Sequence, residues 1–226
     1  MDKKPIIAID GPAASGKGTL SRKIAETLDY AHMDTGALYR AVGYEILRAG
    51  SNPENENHAI QAAETLIEKI SNAASPAEIL ENKDFRKDDV GQAASKVAVL
   101  EPVRNALLQL QRDFAQTPGE SYKGAVLDGR DIGTVICPDA EIKLFVTADV
   151  EIRAERRLKE LQSKGIPATN DAVLKDMRDR DTRDASRQAA PMKPAPDAIV
   201  LDTSGLSAEQ VLEKALKIIE EKLSTT

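Results

Sequence analysis

The stretch DGPAASGKGTLSRK, from Asp10 to Lys23, decides the fold of this 226-residue chain. Gly11 and Gly16 enclose four residues and Lys17 follows, which is the spacing of a loop that cradles phosphates. The two glycines can adopt backbone angles closed to other residues, so that successive N–H groups point inward and form an anion-binding nest. An apolar run precedes the loop and a helical pattern follows it, as the motif requires. The stretch therefore predicts a nucleoside triphosphate site between a strand and a helix.

The residues of this loop have distinct predicted roles in holding ATP. Lys17 supplies a full positive charge to the β- and γ-phosphates, and the N-terminal end of the helix that begins there adds its dipole. The motif ordinarily has Ser or Thr directly after the lysine, but here Gly18 follows and Thr19 comes next. We therefore expect Thr19, or Ser15 from the other side of the loop, to supply the hydroxyl that binds Mg²⁺. The residues predicted to bind ATP are Gly11, Pro12, Ala13, Ala14, Ser15, Gly16, Lys17, Gly18 and Thr19.

Apolar runs alternate with helical patterns along the chain, and this alternation predicts an α/β fold with helices on both faces of a five-stranded parallel sheet. The predicted strands are 5–9, 30–33, 124–128, 142–146 and 198–202. The predicted helices begin near Lys17 and continue with 36–49, 54–70, 91–100, 102–116, two stretches within 149–187, and a last helix capped by Ser207 and Gln210. Because there is neither an internal repeat nor a low-complexity linker, we expect one P-loop domain over 1–226 with inserts at about 54–100 and about 153–187.

The composition is that of an ordinary globular protein and narrows the classes of function. The net charge of −6 disfavours nucleic-acid binding by bulk attraction, and the 3% of aromatic residues leaves few base-stacking platforms. No segment approaches the ~20 apolar residues of a membrane span, and the N-terminal apolar run is too short for a signal peptide. The one cysteine, Cys137, is expected to be a small buried residue. We therefore expect a cytoplasmic protein with neither a membrane nor a nucleic-acid partner.

The turn DTGALYR follows the second predicted strand. Ligands of parallel-sheet enzymes bind at the carboxyl ends of the strands, so this turn is expected to face the phosphate loop. Asp34 and Thr35 would begin a helix and Arg40 would follow about one turn later. The alternative interpretation is an ordinary helix N-cap followed by a surface arginine.

The segment LDGRDIGT follows the third predicted strand. Asp128 ends that strand, as the acidic residue of a Walker B strand does, and is predicted to lie in the magnesium shell. Arg130 and Asp131 project from the same turn. The alternative interpretation is a tight Asp-Gly turn with solvated charges.

The segment RDRDTRDASR, residues 178–187, concentrates positive charge within an acidic protein. Arg180, Arg183, Asp184 and Arg187 have spacings of three and four that place them along one helical face. Such a pattern also suits an exposed helix stabilised by salt bridges, each worth ~0.2–0.5 kcal/mol. Arg153, Arg156 and Arg157 present the same ambiguity. Two arginine-rich helices joined by a Gly-Ile-Pro break are nevertheless typical of a lid that closes over phosphates.

Together these stretches closely resemble the bacterial cytidylate kinases, and the Gly-Lys-Gly-Thr form of the loop resembles the nucleoside monophosphate kinases in general. IDGPAASGKGT, DTGALYR, GQAASKVA with VRNAL, DGRDIGTV and RDRDTRDASRQAAP occur in the family's order, from Ile6 to the C-terminal helix. The resemblance implies a P-loop kinase fold with a monophosphate-binding arm at about 54–100 and an arginine-rich lid at about 153–187. It also implies a monomer that transfers the γ-phosphoryl group of ATP, with Mg²⁺, to CMP or dCMP.

The resemblance further implies roles for residues at matching positions. The catalytic group would be Lys17, Arg130, Arg180 and Arg187. Arg40, Arg130 and Arg187 would hold the CMP phosphate and the phosphoryl group in transfer. Ser95, Arg104 and Asp131 would recognise cytosine, Asp184 with Arg180 would hold the sugar hydroxyls, and Arg156 would reach ATP from the lid. The substrate-binding residues would thus be Asp34, Thr35, Arg40, Ser95, Arg104, Arg130, Asp131, Arg180, Asp184 and Arg187, and the metal-binding residues Thr19 and Asp128.

The chain departs from the family at one place. The family usually inserts a small three-stranded element before the AASKVA segment, but residues 75–90 are too few and too polar for all of it. The shape of the arm is therefore left open, whereas the phosphate loop is unaffected.

Three alternative functions are retained. A kinase for another small acceptor, such as UMP or shikimate, would have the same loop. A regulatory GTPase would need an Asn-Lys-x-Asp motif after a strand, and NKDF at 82–85 does not satisfy that spacing. An RNA-binding protein would use the cluster at 178–187, against the acidic net charge.

Overall fold

The computed structural model describes residues 3–73 and 79–224. The sheet consists of β1 (Ile6–Asp10), β2 (Ala31–Asp34), β3 (Ala125–Gly129), β4 (Ile142–Thr147) and β5 (Ile199–Asp202), in the spatial order β2-β3-β1-β4-β5. The central strand β1 pairs in parallel with β3 and with β4, and β4 pairs in parallel with β5. This confirms the α/β fold with a five-stranded parallel sheet, and it places β1, which leads into the phosphate loop, in the middle of the sheet.

The core forms where helices cover the apolar strands. Every residue of β1 is buried, as expected for a strand covered on both faces. Helix α1 (Lys17–Leu28) contributes Leu20 and Ile24 to this core. The final helix α8 (Ala208–Leu223) contributes Val211, Ala215 and Ile219, and the capping box of Ser207 and Gln210 that begins it confirms the predicted start. Because Leu20 and Ile24 hold α1 against the sheet, this packing also positions the end of the phosphate loop, which leads into α1.

The chain divides into two compact units. The first contains the sheet and comprises residues up to Met33, Ala115–Ser186 and Ala190 onward; the second comprises Asp34–Phe114 with Arg187–Ala189. The helices of the second unit are α2 (Thr35–Arg48), α3 (Glu56–Ser71), α4 (Asp88–Val97) and most of α5 (Glu101–Gln116), with a 3₁₀ turn at Lys83–Arg86. Helices α6 (Val150–Ser163) and α7 (Asn170–Ser186) belong to the first unit. The predicted arm thus lies in the second unit, and the predicted lid lies in the first apart from Arg187.

The segment before α4 differs from its prediction. The helix predicted at 91–100 begins three residues earlier, at Asp88, and ends at Val97. Asp88 and Asp89 occupy its first turn, where negative charge favours the helix dipole. Phe85 is buried before it and packs against Tyr44 in a tilted arrangement, with ring centroids 5.4 Å apart. Residues 75–78 of the departure from the family lie outside the described residues; the described residues 79–97 contain helical turns and no strand.

Helices α2 and α4 pack at Gly43. A Cβ at Gly43 would lie 2.9 Å from the backbone nitrogen of Ala94 and 3.0 Å from the Cβ of Ala93. Glycine at this position therefore permits a close approach of the two helices, and this approach fixes the position of Ser95, the next residue of α4.

We expect Gly43→Ala to lower the free energy of unfolding by roughly 1–3 kcal/mol, because overpacking against a helix backbone outweighs the gain in helix propensity of about 1 kcal/mol. Urea denaturation measures the difference. Gly205→Ala is the control, since a Cβ there meets nothing within 4 Å. A Gly43→Ala protein as stable as the parent would contradict the close approach.

Candidate functional site

The backbone of the phosphate loop has the unusual angles that an anion nest requires. Gly11 has φ of 150° and Gly16 has φ of 92°. A Cβ at Gly11 would lie 2.0 Å from the carbonyl oxygen of Val146, so that only glycine fits between the loop and β4. Ala14, although not a glycine, has φ of 57°. Such left-handed residues cost free energy and cluster at ligand sites, where the surrounding structure holds them.

Lys17 is the first residue of α1 and folds back along the loop. Its side chain is buried, with 8% of the residue exposed. Its Nζ donates a hydrogen bond of 3.0 Å to the carbonyl oxygen of Pro12. Gly16 precedes it as the N-cap and has no side chain that could cover the first amides of the helix. The loop therefore presents a buried ammonium group and a helix N-terminus together, an arrangement suited to the terminal phosphates of a nucleotide.

The two candidate hydroxyls of the loop differ in their surroundings. Ser15 is fully buried, and its Oγ has no hydrogen-bond partner among the described residues. Its carbonyl oxygen accepts a hydrogen bond of 3.0 Å from the hydroxyl of Thr203. Thr19 is exposed in the first turn of α1. Because a buried hydroxyl without a partner costs free energy, Ser15 is the better placed of the two to bind a ligand atom in the nest.

Asp10, at the end of β1, holds the turn that follows β3. Its two carboxylate oxygens accept hydrogen bonds of 2.8 Å each from the backbone nitrogens of Ile132 and Gly133. These amides begin a π-helical turn, Ile132–Ile136, a geometry found mostly at functional sites. Burial raises the pKa of the Asp10 carboxyl to about 6, although the two N–H donors favour the charged form. Asp10 thereby fixes the backbone directly after Asp131.

The raised pKa of Asp10 makes the stability of the fold depend on pH. The carboxyl has an ordinary pKa of 3.8 and a folded-state pKa of about 6, so that the folded protein keeps a proton that the unfolded chain loses between these values. The resulting stabilisation is present at low pH, and about 3 kcal/mol of it is lost as the pH rises through this window. We expect the free energy of unfolding of the parent, minus that of Asp10→Asn, to fall by about this amount between about pH 4 and pH 7. A difference independent of pH would show that Asp10 titrates normally.

Asp128 lies at the carboxyl end of β3, beside the beginning of α1. It is buried, and its Oδ1 would lie 3.8 Å from a Cβ placed at Gly18. Its Oδ2 lies 2.9 Å from the Nε2 of His32 on the neighbouring strand β2. The contact with His32 holds one oxygen of the carboxylate, and the other oxygen lies near the beginning of α1.

Arg130 and Asp184 form an ion pair within the first unit. The Nε of Arg130 lies 3.0 Å from the Oδ2 of Asp184, and both side chains are largely buried. The Nη1 of Arg130 also donates to the carbonyl oxygen of Gly129, at 3.2 Å. Helix α7 is therefore connected to the turn after β3 through two residues that were both predicted to bind substrate. Arg180, one turn before Asp184, is half-buried on the same helix.

Arg156 is bonded to the loop that follows β5. Its Nη1 and Nη2 donate to the hydroxyl and to the carbonyl oxygen of Thr203, at 3.1 and 2.7 Å. Because Thr203 also donates to the carbonyl of Ser15, Arg156 is connected to the phosphate loop through one intermediate residue.

In the second unit, the predicted residues of α2 contact each other. The Nη2 of Arg40 donates to the Oδ2 of Asp34 at 2.6 Å, and a Cβ at Gly36 would lie about 3 Å from both side chains. Thr35 is buried at the beginning of the helix. The contact pre-orients the Arg40 guanidinium, while the absence of a side chain at Gly36 leaves space beside it.

Ser95 and Arg104 are both buried in the second unit. The Arg104 guanidinium lies over the ring of Tyr39, 5.6 Å from its centroid, and donates to the carbonyl oxygen of Ala98 at 3.4 Å. A buried serine hydroxyl and a buried guanidinium that is held against an aromatic ring are suited to hydrogen-bond recognition of a heteroaromatic ligand. Arg187, also buried, belongs to this unit.

The structure thus groups the predicted residues within each unit. The first unit brings the phosphate loop, Asp128, and the pair of Arg130 and Asp184 to the carboxyl ends of the central strands, and the second contains the Asp34–Arg40 pair with Ser95 and Arg104. Four residues whose side chains make the contacts described above were not assigned from the sequence: Asp10, His32, Tyr39 and Thr203. Asp10 had a usable signal, since it ends a buried strand directly before the loop, whereas the contacts of His32 and Tyr39 depend on residues far away in sequence.

None of the helices within 3–73 and 79–224 combines the length and the apolar character needed to cross a bilayer. Within the same residues, no three His, Cys, Asp or Glu side chains are grouped so that they could hold a metal ion. Cys137 is buried, as predicted.

Comparison with known proteins gives a consistent result. The sequence model of a family described as Cytidylate kinase matches residues 7–221. A cytidylate kinase from Rhodospirillum rubrum is 53% identical over 221 residues, which cover 98% of this chain and 100% of that protein. One from Paramagnetospirillum magneticum is 56% identical over 217 residues, covering 96% and 98%. An uncharacterized protein from Eubacterium ventriosum, with a solved structure, shares the fold with a TM-score of 0.53 at 15% identity, covering 96% of this chain and 99% of its own.

Proposed function

Because the chain belongs to the cytidylate kinase family, we propose that it transfers the γ-phosphoryl group of ATP to CMP and dCMP, giving ADP with CDP or dCDP. The observation that carries the proposal is the phosphate loop, whose nest geometry and buried Lys17 occur in a chain that matches the family from residue 7 to 221. We further propose a cytoplasmic monomer that has nucleotides, not nucleic acids or membranes, as its partners.

The residues around the loop fit a magnesium-bound triphosphate. Mg²⁺ prefers oxygen ligands and commonly binds through one or two carboxylates together with substrate phosphates, so it needs no cluster of protein ligands. Asp128 offers a buried carboxylate beside α1, and Ser15 offers a buried hydroxyl without a partner in the described part of the chain. Thr19 is the predicted alternative to Ser15. When bound, the ion would neutralise charge on the β- and γ-phosphates.

The protein's own contribution is alignment and charge. The acceptor is a phosphate group that is already anionic at neutral pH, so that no general base has to activate it. Lys17 would follow the charge that develops between the β- and γ-phosphates during transfer. Arginines would neutralise the two phosphates that approach each other, and the lid would exclude water, which would otherwise compete as acceptor.

We assign Arg40, Arg130 and Arg187 to the binding of the CMP phosphate. Asp34 and Thr35, at the start of helix α2, are also assigned to substrate binding. The Nε of Arg130 donates to Asp184 and its Nη1 donates to the carbonyl oxygen of Gly129. We therefore assign Nη2 as the donor to the phosphate. Ser95, Arg104 and Asp131 are assigned to cytosine, Asp184 and Arg180 to the sugar, and Arg156 to ATP.

Turnover with a panel of acceptors tests the proposal. ADP release is coupled to a spectroscopic readout with CMP, dCMP, UMP, AMP or shikimate as acceptor, each with Mg²⁺ and ATP. We expect the highest kcat/KM with CMP or dCMP. Preferred turnover of UMP or shikimate would assign the chain to another small-acceptor activity within the same fold.

A further inference from the structure

Arg153 is a buried charge whose contacts converge on the phosphate loop. It lies in the first turn of α6, with 5% of the residue exposed. Its Nε donates to the carbonyl oxygen of Ala148 at 2.8 Å, its Nη1 to the carbonyl oxygen of Ala13 at 3.2 Å, and its Nη2 to the Oδ2 of Asp181 at 2.7 Å. One guanidinium thus joins the end of β4, the phosphate loop and helix α7.

Each of these contacts uses a property of the guanidinium that lysine lacks. A planar fork with several donors can reach acceptors in three directions at once, whereas an ammonium group is a single point of charge. A buried guanidinium must also have its donors satisfied, because an unpaired buried charge is strongly unfavourable. Asp181 supplies the opposite charge, so that the position of Arg153 depends on α7 as well as on its own helix.

The contact with Ala13 has a specific consequence for the nest. When the N–H groups of a phosphate loop point inward toward the ligand, its carbonyl groups point outward and need other donors. The structure supplies one for each of three carbonyls: Lys17 for Pro12, Arg153 for Ala13 and Thr203 for Ser15. Ala13 directly precedes Ala14, the residue in the left-handed conformation. The bond from Arg153 therefore holds the loop where its backbone is most strained.

We propose that Arg153 is a positioning residue that maintains the phosphate loop in its ligand-binding curvature, and that Asp181 holds Arg153 in place. Arg153 would act on the loop through the backbone of Ala13, to which it donates a hydrogen bond. The inference rests on the proposed function only for the identity of the loop's ligand, ATP. Helix α7 then influences the affinity of the loop for its ligand through the Asp181–Arg153 pair.

The exposed pair of Arg178 and Glu151 provides a matched control. It also joins α7 to α6, with the Nη2 of Arg178 2.8 Å from the Oε1 of Glu151, but both side chains are more than half exposed. An exposed ion pair contributes little to stability. If the pair of Arg153 and Asp181 served only to pack the two helices, Arg178→Gln and Asp181→Asn would act alike.

Binding of a non-hydrolysable ATP analogue with Mg²⁺, measured by calorimetry without CMP, tests the inference. We expect Arg153→Lys to weaken binding by ~10-fold or more, since a small displacement of a positioning group has large effects, and Asp181→Asn by ~3–10-fold. Arg178→Gln should bind within about twofold of the parent.

Hydrogen exchange of the loop amides, residues 11–19, should be faster in the two affected variants of the free protein, and the KM for CMP should change by less than about threefold.

Folded variants of Arg153 and Asp181 with parental analogue affinity and parental exchange in the loop would overturn the inference, as would an equal loss of affinity in Arg178→Gln. If Arg153→Lys does not fold, Asp181→Asn decides by the same criteria. Because the calorimetry contains no acceptor, its result tests the role of Arg153 independently of the proposed function. A parent that binds the analogue without phosphorylating CMP would overturn the proposed function alone.

Discussion

Replacing Lys17 with alanine is expected to leave a folded protein whose kcat is lower by at least ~10²-fold, the scale of losing one charge contact in the transition state. Lys17 is the cation that the loop itself provides, and it is held in the nest by its bond to Pro12. The charge of Lys17 stabilises the transition state of phosphoryl transfer more than it stabilises bound ATP. Its loss therefore lowers kcat as well as the affinity for ATP. Steady-state kinetics at saturating ATP and CMP measure this effect.

The control is Lys23→Ala, on the same helix. Lys23 is partly exposed and its Nζ lies 3.8 Å from Glu209, and replacing it with alanine should change kcat by less than about twofold. Thermal unfolding of both variants verifies that they are folded. A folded Lys17→Ala protein with near-parental kcat would remove Lys17 from the mechanism.

The second large effect concerns the choice of base. Cytosine differs from uracil because it has an amino donor in place of a carbonyl group and a ring acceptor in place of an N–H. A carboxylate at Asp131 would accept from the amino group of CMP but would oppose the carbonyl of UMP, and that mismatch costs ~1–3 kcal/mol or more. We therefore expect Asp131→Asn and Asp131→Ala to reduce the CMP/UMP ratio of kcat/KM by at least ~10-fold.

The surroundings of Asp131 make this test interpretable. The residue is buried directly before the π-helical turn, and its backbone carbonyl accepts from the nitrogens of Val135 and Ile136, a contact that both variants retain. Asp139→Asn, in the exposed segment after that turn, is the control. If the Asp131 variants lose activity with CMP and UMP in equal proportion, Asp131 serves structure or phosphate geometry instead of base recognition.

Selectivity for CMP is expected to persist despite the departure from the family at 75–90. Ser95 and Arg104 lie after that segment, on α4 and α5, and both are buried. Their positions depend on the packing of α4 against α2 at Gly43 and on the Tyr39 ring beneath Arg104. None of these contacts needs a strand from the arm.

Local sequence patterns predicted the fold well, because the strands and helices that build it are specified by patterns within short stretches of the chain. The buried strands form where the sequence has apolar runs rich in β-branched residues. The strands β1, β3 and β4 begin and end within one residue of their predicted limits. The start of α4 was wrong by three residues, because its first turn is acidic and falls in a stretch without apolar periodicity. The phosphate loop was also predictable, since spacing, glycines and flanking elements specify it together.

The contacts that support the site could not be predicted in the same way. Asp10 meets amides at 132 and 133, His32 meets Asp128, and Arg153 meets both Ala13 and Asp181. Each joins residues far apart in sequence, and their side chains meet only after the sheet has ordered its strands. In RDRDTRDASR, sequence alone left open whether the charges were a solvated face or a binding face. The structure shows that these charges do not share one environment, since Arg178 is exposed whereas Asp184 is buried against Arg130.

The fate of the γ-phosphoryl group is the most direct test of the central claim. The purified protein is incubated with Mg²⁺ and ATP labelled at the γ-phosphate, with and without CMP, and the labelled products are separated by chromatography. The account predicts that the label appears in CDP, and that little inorganic phosphate forms while CMP is present. Label that appears in inorganic phosphate at the same rate with and without CMP, and none in CDP, would contradict the account and identify a nucleotide hydrolase instead.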